Sequence, residues 1–337
     1  MLRSFSVPVV AVVLIALAAV SVPATAWSEA IIADHSAVGE FGIIPGSVIA
    51  TIGSNYHVYY LHTSHGSQIM TGLVMLHDEN GSYDKPDFYE RADDLGLTGD
   101  TSWAPYTRTY LDANPDCDVA MFSWCAGVSD NTEEGIDIYL NKMAELEADY
   151  PAVRFVYMTG HLDSTGLEGN LYARNNQIRN FCTTNDKVLY DFADIESYDP
   201  DGNFYPVESD YCAWCYDWCA THTCPGCDIC AHSHCFNCYL KGKAWWWMMA
   251  RLTGWSSETP CCLGLTGNID GDLEEVIDIG DLTALIGYLF VRSYPGLDCL
   301  PEANVDGGPD GIVDVGDLTA LISYLFIEPN PLPAPCP

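Results

Sequence analysis

Three short polar turns carry most of the reactive side chains in the first two thirds of the chain. They are His62-Thr63-Ser64-His65-Gly66-Ser67, Ser123-Trp124-Cys125-Ala126-Gly127 and Thr159-Gly160-His161-Leu162-Asp163. A serine hydroxyl becomes a useful nucleophile only when a base takes its proton. Ser64 is the candidate nucleophile. His232, in Cys230-Ala231-His232-Ser233, is the candidate base, and Asp228, four residues earlier, is the candidate to orient it. His234 is a rival base. Amide N–H groups near Ser64 and Gly127, with His161 or Asn170, could stabilise an oxyanion.

Eight cysteines crowd into residues 212–238, with the Cys-x-x-Cys spacing four times and His222, His232 and His234 among them. Such a cluster reads as zinc in a reducing compartment and as disulfides outside it. Met1-Leu2-Arg3, the apolar run Val9 to Val22 and Ala24-Thr25-Ala26 have the order of an export signal, which gives a signal peptide over 1–26 and a mature chain from Trp27. Disulfides are therefore expected. The total of 15 cysteines is odd, so at least one stands outside intramolecular pairing.

A second kind of chemistry lies near the C-terminus. Gly280-Asp281-Leu282-Thr283-Ala284-Leu285-Ile286 recurs 36 residues later as Gly316-Asp317-Leu318-Thr319-Ala320-Leu321-Ile322. Counting back from each aspartate gives two acidic ladders: Asp270, Asp272, Glu274, Asp278 and Asp281, then Asp306, Asp310, Asp314 and Asp317. The carbonyls of Val276 and Ile312 fall at the seventh position of each loop. A hard cation such as calcium takes six to eight oxygens, and this spacing wraps oxygens round one point. Gly308 removes one side-chain ligand from the second loop, and Glu275 stands where the first loop would turn on glycine.

The elements that must position these groups follow from periodicity. Tyr56–Leu61, Asp118–Trp124, Val153–Thr159 and Lys187–Ala193 read as buried strands. Glu133–Asp149 and Leu167–Thr183 read as helices between them, and Tyr239–Leu252, apolar nearly all round, as a buried last helix. Alternating strands and helices predict an α/β fold, a three-layer α/β/α flavodoxin-like parallel sheet. Ligands then bind beyond the carboxyl ends of the strands, where the three turns lie. Residues 256–265 read as a linker, 266–327 as a small all-α duplicated calcium-loop domain and 328–337 as a Pro-rich tail. The formal charge of −34, from 13 basic and 47 acidic residues, argues against nucleic acid and acidic lipid as partners. No stretch beyond the signal is long and apolar enough for a transmembrane anchor.

Two resemblances sharpen this reading. Residues 266–327, with their paired loops and the repeated stripe Leu282, Leu285, Ile286, Leu289, resemble a type I dockerin. That implies two Ca2+ sites, a cohesin-type protein partner and a setting at a cell surface or in a polysaccharide-degrading assembly. Residues 27–255, with the Cys-rich insertion 212–238, resemble the SGNH (GDSL-like) hydrolases: Ser64 matches the family serine, Gly127 the glycine and His232 the histidine before the last helix, while Gly160-His161 stands where Gly-x-Asn is expected. The resemblance implies a secreted serine esterase acting on carbohydrate or other extracellular esters. Two alternatives fit the same residues: a non-catalytic, disulfide-stapled binding or scaffold protein, and a zinc-dependent hydrolase centred on the Cys/His loop.

Overall fold

The computed structural model describes residues 29–256, 262, 264–271, 276–291, 297, 299–308, 311–327 and 331–336. The expected signal peptide and its cleavage point lie outside them. The chain divides into two compact units, Met1–Trp255 and Ser256–Pro337.

In the first unit the strands are β1 (Ile31–Ala33), β2 (His57–His62), β3 (Asp87–Ala92), β4 (Val119–Phe122), β5 (Arg154–Met158) and β6 (Val188–Tyr190). The helices are α1 (His35–Glu40), α2 (Gly46–Asn55), α3 (Ser67–Glu79), α4 (Trp103–Ala113), α5 (Glu133–Asp149), α6 (Asn170–Thr184), α7 (Phe192–Ser197), α8 (Ala213–Thr221) and α9 (Cys235–Leu252). All six strands are parallel, in the order β1-β6-β5-β4-β2-β3. Helices α1, α2, α3 and α7 pack with α9, whereas α5 packs with α4 and with α6. A sheet covered on both faces needs strands apolar on both faces. Tyr59, Tyr60 and Leu61 of β2 and every residue of β4 are accordingly buried.

With β1 set aside, the order is that of a doubly wound sheet whose first strand lies between the second and third. Two strands escape the periodicity reading. β1 has three residues, and β3 (DFYERA) is a charged edge strand in which no residue is buried. Edge strands carry charge because one side has no pairing partner. Gly127 therefore follows the third strand of the central run, β4, and Gly96 follows its second strand, β3. The two glycines meet, since a Cβ on Gly127 (φ +91°) would collide with the carbonyl of Gly96.

Helices α3 and α9 cross with their backbones in contact. A Cβ on Gly72 would strike the carbonyl of Cys238, and one on Gly242 would strike Gly72. This crossing sets the loop before α3, which holds Ser64 and His65, beside the loop before α9, which holds His232. Trp245, Trp246, Met248 and Met249 of α9 are fully buried, as the all-round apolar pattern predicts.

The second unit contains α10 (Ile279–Phe290), α11 (Leu300–Ala303) and α12 (Val315–Phe326). Its core is Ile269, Ala284, Leu285, Ala303, Val305 and Leu321. The end of the expected linker and the tail are both tied in. Leu265 bridges Pro335, the Thr266 amide donates to the Ala334 carbonyl at 2.8 Å, and Cys262 is disulfide-bonded to Cys336. Among the described residues no single helix is long and apolar enough to cross a membrane.

Candidate active site and candidate calcium loops

The turn after β2 is braced from several sides. Tyr60 donates its hydroxyl to the Gly66 carbonyl at 3.0 Å, Thr63 to Asp94 at 2.9 Å and Ser67 to the Ser64 carbonyl at 2.6 Å. A Cβ on Gly66 would run into Ser123 and into the Cβ of His62, so glycine lets this turn lie against the turn after β4. That second turn is held by Trp124, whose indole N–H donates to the Met158 carbonyl at 3.0 Å. The two turns lie at the switch point of the sheet, where a doubly wound fold opens its crevice.

A hydrogen-bonded row runs across this crevice. Ser64 Oγ lies 2.9 Å from Cys125 Sγ, Cys125 Sγ lies 3.5 Å from His65 Nδ1, and His65 Nε2 lies 3.0 Å from Asp210 Oδ2. A carboxylate only accepts, so Nε2 of a neutral His65 carries the proton and Nδ1 offers its lone pair to the sulfur. His65 is buried, and burial, followed by the neighbouring His161, holds its pKa down at about 4 against the partial counter-effect of Asp210. It is therefore a neutral base at pH 7. Its ring is sandwiched: His161 stacks on it at 3.8 Å and 4°, His232 at 4.4 Å and 14°.

The row departs from the expected triad. His232 is exposed, sits in the left-handed region (φ +63°) and makes no hydrogen bond to Ser64 or to Asp228 among the described residues. Asp228 is exposed and lines a separate cavity of about 680 Å³ with Ser67, Met70, Val74, Met75 and Ile229. The nitrogens of His161 face the carbonyls of Cys125 (3.0 Å) and Leu162 (2.9 Å), so it positions the Cys125 turn rather than facing an oxyanion. Asn170 donates both hydrogens of its amide group to the carbonyls of Ser129 and Asn131. The histidine and carboxylate in the row that reaches Ser64 are His65 and Asp210. The sequence signal for His65 was its place beside Ser64. Asp210 sits in an irregular segment with no periodicity, pinned by its amide donating to the Leu162 carbonyl at 3.1 Å.

A buried polar network supports the histidine loops from below. Lys241, fully buried on α9, donates to Glu196 at 2.6 Å and to Gln68 Oε1, and lies 3.6 Å over the Phe192 ring. Glu196 Oε2 accepts from the amide of Leu162 at 2.9 Å, and Gln68 Nε2 donates to the carbonyl of Ala231 at 2.5 Å. The residues next to His161 and His232 are thus tied to one ion pair.

The cysteines of 212–238 form four disulfides: Cys212–Cys215, Cys219–Cys224, Cys227–Cys235 and Cys230–Cys238. A zinc site built on thiolates has none left to use in this loop. Among the described residues Cys117, Cys125 and Cys182 are free. Ligand atoms of His65, Asp210 and His232 come within 4.8 Å of one another, close enough for a cation. The hydrogen bonds already occupy both nitrogens of His65, however, and acid–base work is the use they support.

In the second unit the two loops are wired alike. Asp281 accepts from the amides of Asp270 (3.0 Å) and Asp278 (2.7 Å), and Asp317 from those of Asp306 (3.1 Å) and Asp314 (2.8 Å). Asp278 and Asp314 cap α10 and α12 through capping boxes. A Cβ on Gly280 would collide with the carboxylate of Asp270, and one on Gly316 would crowd that of Asp306. The repeated glycine lets each first-position carboxylate fold over the helix start. Burial raises the pKa of both Asp281 and Asp317, with Asp270 and Asp306 adding like charge. A divalent cation would relieve that crowding, so the donor set fits one. Asp272, Glu274 and Asp310 lie outside the described residues, and Val276 and Ile312 expose their side chains.

No protein-family model matches the chain. No curated protein matches it. Among solved structures it is similar to a protein from Parabacteroides merdae ATCC 43184 provisionally described as a GDSL-like lipase, at 10% identity and a TM-score of 0.38, covering 60% of this chain and 97% of that one.

Proposed function

We propose that this chain is an exported ester hydrolase of the SGNH kind, carrying a calcium-dependent, dockerin-like docking module. The observation that carries the reading is His65: a buried, neutral imidazole held by Asp210, with its lone pair turned to Cys125 on the nucleophile side at the switch point of the sheet. In the proposed reaction Nδ1 takes the proton of the attacking group, Asp210 steadies the imidazolium and the leaving alcohol receives the proton back. The cavity beside Ser67, which mixes Met70, Val74, Met75 and Ile229 with Asp78, Lys85 and Glu90, would take part of the ester or its leaving group. Carbohydrate esters are the substrate class that a dockerin-like partner module favours.

In the second unit Asp270, Asp278 and Asp281 with the Val276 carbonyl, and Asp306, Asp314 and Asp317 with the Ile312 carbonyl, would hold one Ca2+ each, together with Asp272, Glu274 and Asp310. Bound calcium would supply the positive charge that lets these carboxylates stay close. A cohesin-type protein is the proposed partner, and disulfide formation in residues 212–238 accords with an extracellular or cell-surface setting.

The test is turnover of short-chain p-nitrophenyl esters by the purified chain. His65→Ala should lose about 10²- to 10⁴-fold, the usual worth of a general base. His232→Ala, which removes only a stacking face, should stay within about tenfold of wild type, since a stacked ring pair is worth about 0.5–1.5 kcal/mol. No turnover by the wild type, or full activity in His65→Ala, would falsify the reading.

A further inference from the structure

We infer that Cys125, rather than Ser64, forms the covalent bond to the acyl group, and that Ser64 serves the sulfur as a hydrogen-bond donor. The inference rests on the ester-hydrolase reading above and names its nucleophile. Its first ground is reach. Of the two candidates only Cys125 touches the base, with Sγ 3.5 Å from His65 Nδ1. Ser64 Oγ has the sulfur as its only side-chain partner among the described residues, at 2.9 Å. A proton leaving Ser64 would have to pass through the thiol to reach a base.

The second ground is the direction of the row. With Nε2–H of His65 donating to Asp210, Nδ1 accepts from the thiol, and the sulfur is left to accept from Ser64. Each group then donates once towards Asp210, and each proton has a place to go. When the thiol proton moves to His65, the Ser64 hydroxyl still donates to the thiolate. The third ground is contrast. Cys117 and Cys182 are also free, but both are buried within the core, and burial raises their thiol pKa values, that of Cys117 to about 11. Cys125 is half-buried, lies on the crevice turn and has its carbonyl held by His161 at 3.0 Å. A thiolate beside a histidine is the form in which cysteine attacks acyl carbons.

The step balances. His65 Nδ1 takes the thiol proton, Sγ attacks the ester carbon, and the C–O bond to the alcohol breaks as the imidazolium protonates the departing oxygen. Water then adds to the thioester, giving a proton to Nδ1. The C–S bond breaks, a carboxylic acid leaves and the thiolate recovers its proton.

The native protein is treated with iodoacetamide at pH 7 without reductant, and modified cysteines are mapped by mass spectrometry. Cys125 should be alkylated first, turnover should fall in parallel, and alkylation should be about tenfold or more slower in His65→Ala, since the base that accepts the thiol proton at 3.5 Å is gone. Acid-quenched reaction with p-nitrophenyl acetate should leave an acetyl group on Cys125 that neutral hydroxylamine removes. Cys125→Ala should lose about a thousandfold or more, as nucleophile deletions do. Ser64→Ala should lose about ten- to a hundredfold and still acylate Cys125, the loss expected for one hydrogen bond to a charged group. Acetyl on Ser64, or wild-type turnover in Cys125→Ala, would overturn the inference and leave the hydrolase reading standing. Fast, His65-dependent alkylation without ester turnover would uphold the activated thiol and remove the ester substrate. Alkylation of Cys125 at equal rates with and without His65, in a variant whose circular dichroism and melting temperature match wild type, would overturn the inference by itself.

Discussion

Replacing Lys241 by methionine removes the cation from beneath the candidate site while leaving most of the side-chain volume. Lys241 and Glu196 are both fully buried and paired at 2.6 Å. Burial holds the lysine pKa down at about 8 even with Glu196 pulling it back up, so the ammonium is retained mainly because the carboxylate is there. Without it, Glu196 Oε1 keeps only the amide group of Asn237 at 3.4 Å, and Gln68 Oε1 loses its donor. Breaking a buried pair from one side costs about 3–5 kcal/mol. For a unit of this size about 2–4 °C of Tm accompanies each kcal/mol, so a fall of roughly 6–20 °C is expected. Tryptophan fluorescence isolates the effect, because all nine tryptophans lie in the first unit, Met1–Trp255. The double variant Lys241→Met/Glu196→Gln should recover about 2 kcal/mol or more of the summed single losses, the coupling expected of contacting charges. Well below its Tm, Lys241→Met should also turn over ester more slowly, since Leu162 and Ala231 flank His161 and His232 and lean on this pair. A Tm drop under about 2 °C, or strict additivity in the double variant, would refute the reasoning.

Three further outcomes are expected. The acid limb of kcat/KM should fall near pH 4 instead of the ordinary histidine range, because His65 must lose its proton to act and its pKa is lowered to about 4; a limb at pH 6.5 would place the base elsewhere. Thiol titration of the denatured, unreduced chain, with the thiols mapped by mass spectrometry, should find Cys117, Cys125 and Cys182, the free cysteines among the described residues, and the eight of 212–238 appearing as thiols would mean that those disulfides do not form. A chelator should lower the melting temperature of the second unit and leave the first unchanged, and Gly280→Ala should weaken calcium binding by crowding Asp270; calorimetry that detects no calcium binding would remove the ion from the proposal.

The residues most legible from sequence were those whose signal is local. Valine- and tyrosine-rich runs alternating with helical stripes predict a parallel sheet, since strands buried on both faces must be apolar throughout. The same logic placed α9 in the core. The 36-residue repeat marked two equivalent loops, and the hydrogen bonds of Asp281 and Asp317 are the same bonds made twice. Ser64 was traceable to the mouth of the sheet because it follows a buried strand by two residues.

Tertiary structure alone decided which side chains meet there. β3 has no apolar run, because an edge strand faces water on one side, and without it the sequence reading places Gly127 after a second strand where the structure places it after the third strand of the central run. His65 and Asp210 are 145 residues apart and share no pattern. His232 and Asp228, close in sequence, diverge because the disulfides and the left-handed turn at His232 aim them at different spaces. Periodicity is a property of neighbours along the chain, set by which face is buried. A hydrogen-bonded row such as Ser64–Cys125–His65–Asp210 is a property of neighbours in space, set by how the loops are pinned once helices such as α3 and α9 have come to rest against each other.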